Sequence, residues 1–480
     1  MRAVAESVVA CVAACLGCLL LVSHTTVTVT GQSPWPREFE RTFPTDAIVT
    51  GLAVARNGDV IVSGITWNPA FPTTPDAVDR TCATELPCMV DRYDGFVTIL
   101  TTAGELRYST FIGPADNRVL VAPARDGSVW VVLDKTYANA DPWAPTPCNR
   151  HQPVLLRLEP GAPRVVDLVC VGGPEADAVV AALAVAHDGS LWIAGNGQGI
   201  QTLRAWQPVE AGASDIFVAH YTGAPPRLLM ATYVGGRSYD YASALTLMPD
   251  GDPVVIGATQ SPDFPVVRPA QPAFGSGPDR YGAAEDAVVV RLDASGRWVD
   301  WSTWLGGSNW DVGCGIAVDG SGQVLAVGTT TSHDFPHARA AAPRAPSRDD
   351  ADGFLVALDS DGQMRGSMLL GGTGVDGANH VIVPQAGRVL VFGSSNTPPL
   401  LVPGSFGHEG QAFLAWADLA RGAVTLEAVP LTEPRFNGVA AVTSDAFYVY
   451  VAGPASRYVT DPYGWIWTTE FQVKKWHLEP

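Results

Sequence analysis

At 480 residues, with 47% apolar and 16% charged residues, 49 Gly and 38 Pro, the chain has the length of about three ordinary domains and a balance that favours short buried strands and turns over long helices. A formal charge of −18 without any Lys/Arg cluster repels a phosphate backbone, which excludes nucleic acid as a partner.

Residues 1–31 read as an export signal. Arg2 gives a weak positive start, and the apolar run from about Val8 to Val22 is too short and too early for a comfortable spanning helix. The signal is either cleaved or kept as an anchor; Val12-Ala13-Ala14-Cys15 loosely resembles a lipoprotein processing site, although the apolar run continues through Leu19, Leu20 and Leu21. No later segment is apolar for long enough to cross a bilayer as a helix. The expectation is an extracytoplasmic chain, secreted or held at the cell envelope, with no membrane insertion beyond the N-terminal signal.

Beyond the signal the dominant feature is a repeat. A two-strand unit with a central turn recurs as GLAVARNGDVIVSGIT from Gly51, ALAVAHDGSLWIAGNG from Ala182, ALTLMPDGDPVVIGAT from Ala244 and GIAVDGSGQVLAVGTT from Gly315. Weaker copies begin at Val119, His380 and Gly438. The turn glycines Gly58, Gly127, Gly189, Gly251, Gly322 and Gly387, with Asp445 in the seventh place, are spaced 58 to 71 residues apart. After a Pro-rich loop most units carry a second hairpin, such as DAVVVRLDASGRWVDWSTWLGG. Alternating apolar residues around Gly, Asp and Ser turns are what antiparallel strands require. Four strands per unit, repeated radially, describe a propeller blade, and stacked blades bury faces that one sheet cannot bury alone.

The expected fold is therefore all-β: a seven-bladed β-propeller of four-stranded antiparallel blades, a single domain over 32–480. The blades are 46–113, 114–173, 174–236, 237–307, 308–372, 373–430 and 431–480. The last unit runs EFQVKKWHLEP and stops one strand short. REFERTFPTD, ahead of the first repeat, resembles a fourth strand, so 35–45 is expected to close the ring by pairing in the last blade. Such pairing hides two sheet edges.

The motifs DAVVVRLDASG, WSTWLGGSNWD, GIAVDGSGQVLAVGTT and SHDFP are similar to those of the β-propeller repeat family abbreviated SBBP, found mainly in bacterial surface and secreted proteins. The resemblance covers nearly the whole chain after the signal and is strongest from about Asp215 to Gly372. It implies a propeller and no particular activity, because propellers host binding, scaffolding and catalysis alike.

Candidate sites follow from the two faces such a blade presents. Turns within each two-strand unit are tight, whereas the segments joining the units, such as Trp67 to Tyr93, are long, which places a ligand site on the long-loop face. A Gly-Gly-x-x-x-Asp pattern leads into the first strand of several blades, giving Asp177, Asp240, Asp311 and Asp376, with Asp46 in the corresponding place of the first. These five are either an acidic rim able to hold Ca²⁺ or a cationic ligand, or caps for backbone N–H groups where the chain turns; the capping reading is the simpler. Trp310 follows three crowded indoles, Trp298, Trp301 and Trp304, which suit either sugar stacking or packing. Phe71, Phe264 and Phe335, each before Pro, are expected to plug between blades.

Five cysteines follow the signal. Cys82 and Cys88 bracket a short loop and suit a local disulfide, Cys148 and Cys170 suit a second, and Cys314 is left over. No cofactor is called for, with Ca²⁺ the one metal the acidic pattern would suit. No G-x-S-x-G, H-E-x-x-H or Walker motif occurs, which weakens catalysis without excluding it, since a propeller can assemble a site from single residues on different blades. The expected function is a monomeric, non-enzymatic binding or scaffold module contacting a protein, glycan or envelope component through its long-loop face. The alternatives are a secreted hydrolase or lyase on polysaccharide or peptide with its site at the channel mouth, and Ca²⁺-stabilised surface architecture.

Overall fold

The computed structural model describes residues 37–43, 46–82, 93–115, 118–134, 148, 152–162, 164–275, 277, 285–336, 339–340, 351–371, 374–385, 387–395, 411–418, 423–425, 441–444, 448–461 and 464–477. The signal at 1–31 and Cys88 lie outside them. Every described element is a strand. In chain order they are β1 (Arg37–Phe43), β2 (Ala47–Val54), β3 (Val60–Thr66), β4 (Asp94–Leu100), β5 (Leu106–Pro114), β6 (Val119–Pro123), β7 (Val129–Leu133), β8 (Val154–Leu158), β9 (Val165–Cys170), β10 (Asp177–Val185), β11 (Leu191–Gln198), β12 (Asp215–Tyr221), β13 (Leu228–Val234), β14 (Asp240–Leu247) and β15 (Pro253–Thr259). There follow β16 (Asp286–Leu292), β17 (Val299–Leu305), β18 (Asp311–Val318), β19 (Val324–Thr330), β20 (Arg339–Ala340), β21 (Asp352–Leu358), β22 (Met364–Leu370), β23 (Asp376–Gln385), β24 (Arg388–Ser395), β25 (Gln411–Asp418), β26 (Ala423–Thr425), β27 (Ala441–Ser444), β28 (Tyr448–Asp461) and β29 (Gly464–His477).

These strands make six four-stranded sheets and one of five. The sequence predicts seven sheets of four; the fifth differs because Arg339 and Ala340 add a short parallel strand outside β22. Within each repeat the strands pair in chain order, β2-β3-β4-β5 and so on through β23-β24-β25-β26. The first strands of successive sheets touch one another around a circle, β2 to β6, β10, β14, β18, β23, β27 and back to β2. This is a β-propeller arrangement of small antiparallel sheets.

Its hydrophobic clusters lie between sheets. Val97 and Ile99 of β4 pack with Val129 and Val131 of β7; Trp192 and Val218 of the third sheet pack with Val288 and Val290 of the fourth. Middle strands are therefore apolar on both faces, and β3, β15, β19 and β21 are buried along their whole length. The innermost strand β2 alternates buried and half-buried positions, since successive side chains point to opposite faces of the sheet.

The ends of the chain share a sheet. β1 pairs antiparallel with β29, Phe43 opposite Phe471 and Arg41 opposite Val473. Phe43, Tyr450 and Val473 then pack with Val62, Phe96 and Phe111 of the first sheet, and burying each large apolar side chain contributes about 1.5–3 kcal/mol. The phenylalanine plugs lie where the sequence places them: Phe71 and Phe335 are buried against Phe96 and Phe354, with ring centroids 4.5 and 4.7 Å apart.

The long connections between second and third strands bend away from the channel. Residues of these loops bridge to the outermost strand at Asp79 and Phe111, Leu203 and Ala231, Gln207 and Tyr233, and Val267 and Ser302. These stretches cover part of the outer edges of the first, third and fourth sheets, which blunts strand-to-strand association there.

Candidate functional site

The channel has two ends of different chemistry. At the long-loop end, Asp240, Asp311 and Asp376 are completely buried, Asp177 is exposed, and Asp46 is half-buried. The buried carboxylates face the turns that precede them. Asp240 Oδ2 accepts the N–H of Gly236 at 2.7 Å and the Ser261 hydroxyl at 3.1 Å, while Thr259 donates to its other oxygen. Asp311 repeats the arrangement with Gly307 N–H at 2.7 Å and Ser332 at 2.8 Å. Asp46 takes part through its backbone, its carbonyl accepting the Thr66 hydroxyl at 2.6 Å.

A second aspartate opens the third strand of several sheets: Asp94, Asp215, Asp286 and Asp352, all buried. Asp215 accepts from Gln207 Nε2 and Ala211 N at 2.8 Å and from Gly212 N at 3.2 Å. The glycine pair is pressed between the two carboxylates. A Cβ built on Gly306 would lie 2.5 Å from Asp286 Cγ and 2.9 Å from Asp311 Oδ2, so only glycine permits the approach. Burial, joined by the neighbouring Asp215 charge and opposed by its hydrogen bonds, pushes Asp240 up to about 7. Burial likewise pushes Asp311 up to about 8, with Asp286 adding to the rise.

Asp240 and Asp311 thus each accept one backbone N–H of the turn that precedes them, the capping arrangement. Among the described residues no three His, Cys, Asp or Glu side chains gather to hold a metal. Trp310 also turns inward: its indole N–H donates to Glu285 Oε2 at 2.8 Å, and Tyr241 donates to the other carboxylate oxygen. Glu285, fully buried, was not singled out by the sequence, since its partners come from two different sheets. Of the crowded indoles, Trp301 and Trp304 are buried and Trp298 is exposed on a turn.

Cys148 and Cys170 form a disulfide with Cα atoms 5.4 Å apart, tying the loop before β8 to the end of β9. The pairing of Cys82 with Cys88 lies outside the described residues. Cys314 corrects an expectation: both it and Cys82 are disulfide-bonded.

At the opposite, tight-turn end lies a cavity of about 410 Å³ shared by the first three sheets. Its walls include Leu52, Val121, Leu183 and Val185, and Arg56, Arg125 and His187 also line it. Each of these three occupies the second position of the same hairpin turn. Gly58, Gly127 and Gly189 adopt φ of 83°, 87° and 89°, and their N–H groups return to the carbonyls of Ala55, Ala124 and Ala186. This is a type I turn closed by a left-handed glycine. Asn57, Asp126 and Asp188 fix it by accepting the N–H two residues on.

The turn acids have cationic partners elsewhere in their own sheets. Asp59 pairs with Arg107, Asp126 with Arg157 at 2.9 Å, and Asp250 and Asp252 with Arg291 at 2.6 and 2.7 Å. Hydrogen bonds from Ser128, with Arg157 beside it, hold Asp126 below the usual carboxylate range despite its partial burial. Arg56, Arg125 and His187 are exposed, with no hydrogen bond or ion pair among the described residues. A concavity with aliphatic side chains in its wall and two unengaged arginines at its rim suits the seating of a ligand.

No family model matches the chain, and no curated protein matches it in sequence. Among solved structures, a protein of unknown function from Dyadobacter fermentans is similar at TM-score 0.39 and 11% identity, over 94% of this chain and 100% of that one. The uncomplexed acylaminoacyl peptidase of Pyrococcus horikoshii is similar at TM-score 0.43 and 12% identity, over 91% of this chain. This chain spans about half of the peptidase's length, 54%.

Proposed function

We propose that the chain is an exported, seven-bladed β-propeller of the SBBP type, its ring closed by β1, that works as a non-enzymatic binding module seating its ligand at the tight-turn end of the channel. The observation carrying this reading is the recess itself, built on three hairpin turns with Arg56 and Arg125 exposed and unengaged among the described residues. The antiparallel register of β1 with β29 supports the closure. The Cys148–Cys170 disulfide is consistent with an oxidising compartment, and among the described residues no helix is long and apolar enough to cross a membrane. This places the ligand at the end opposite the long-loop face, where Asp240 and Asp311 already accept backbone N–H groups of their own turns.

Ala184 lines the recess, and Ala184→Trp fills it with an indole. A thermal-shift panel of sugars, short peptides and small acids on the chain without residues 1–31 is expected to yield compounds that raise Tm in the natural protein and leave the filled variant unmoved. A panel with no such compound, or equal shifts in both proteins, overturns the proposal.

A further inference from the structure

Resting on that reading of the recess, we infer that its ligand is a carboxylate borne on an apolar body, the head held by Arg56 and Arg125 beside His187 and the body lying on Leu52, Val121 and Leu183. The distribution of charge makes the case. With 48 acidic against 30 basic residues, the chain repels anions in general, yet Arg56, Arg125 and His187 all line one concavity whose wall also carries Leu52, Val121 and Leu183.

The turn does not require them. Its second position tolerates most residues, and in the next three sheets the same place holds Pro249, Gly320 and Gln385. The cations are confined to the three turns that line the recess. Of the acids in these turns, Asp59 and Asp126 are already paired with Arg107 and Arg157, which leaves Arg56 and Arg125 without an acidic partner among the described residues, while Asp188 beside His187 accepts from Ser190. Two exposed guanidinium groups beside a hydrophobic wall offer forked donors to a carboxylate, while the wall accepts the carbon body that follows it.

Calorimetric titration of the chain without residues 1–31 tests this with octanoate, neutral octanamide and N-acetyl-Ala-Val-Leu bearing a free carboxylate. Octanoate or the peptide is expected to bind at least about tenfold more tightly than octanamide, the factor that one charge-assisted hydrogen bond supplies. Arg56→Ala with Arg125→Ala should abolish that preference, and added salt should weaken it. The tighter of the two carboxylates tells an alkyl body from a peptide one. Octanamide binding as well as octanoate, unchanged carboxylate affinity in the double variant, or no binding of either carboxylate overturns the inference. Octanamide binding that Ala184→Trp blocks would leave the recess standing as a site while removing the anion; binding that Ala184→Trp leaves intact would remove the recess as well.

Discussion

The two ends of the channel use charge in opposite ways. At the long-loop end carboxylates such as Asp240 and Asp311 are buried and bound to backbone N–H groups; at the tight-turn end Arg56 and Arg125 are exposed and engaged by nothing among the described residues. A charge that completes a turn is part of the scaffold, and a charge left over at a concavity is available to a ligand. Substitutions should therefore damage the fold at one end and recognition at the other.

The largest expected effect is at the glycine pressed between carboxylates. Gly306→Val should lower stability by about 3 kcal/mol or more, because the added atoms have no space between Asp286 and Asp311; calorimetric melting measures it, and a loss below about 1 kcal/mol would break the scaffold assignment. Next comes Arg291, which is largely buried and gathers Asp250, Asp252 and the Ser360 carbonyl. Arg291→Ala should cost about 2 kcal/mol in chemical denaturation, since it leaves partly buried acids unpaired.

The ends also differ in their dependence on pH. Asp311 binds its proton more tightly folded, near 8, than at the ordinary 3.8. Its contribution to stability is therefore complete below about pH 4 and declines as pH rises towards 8. Asp311→Asn should flatten that decline by several kcal/mol in melts across the window; an unchanged slope would contradict the assignment. The smallest effect is expected at the other end, where Arg56→Ala with Arg125→Ala should leave stability within about 0.5 kcal/mol. A larger loss would mean that these arginines serve the fold.

Sequence pattern carried the strands well, because period-two alternation and the glycine turns are local signals. Even the non-local pairing of 37–43 was legible, from one missing strand at one end of the chain and one spare strand at the other. Loop paths were not. Nothing in the sequence around Val267 announces that it bridges to Ser302, a contact between residues 35 positions apart that no local pattern carries. The recess was missed for a similar reason: Arg56, Arg125 and His187 sit in repeats read only for their turn chemistry, and their convergence exists only once three sheets stand side by side. The repeated glycine-pair spacing made Asp240 and Asp311 legible, and each accepts a backbone N–H from the turn before it.

The pairing of Thr42 with Gln472, 430 residues along the chain, also sets a timetable. At common synthesis rates the second arrives roughly 20 to 90 s after the first. Throughout that wait the leading strand has an unfilled berth beside it, which the tail of another nascent copy can take. Interlocked pairs of chains are the mis-assembly to look for when this protein is made quickly and in crowded conditions.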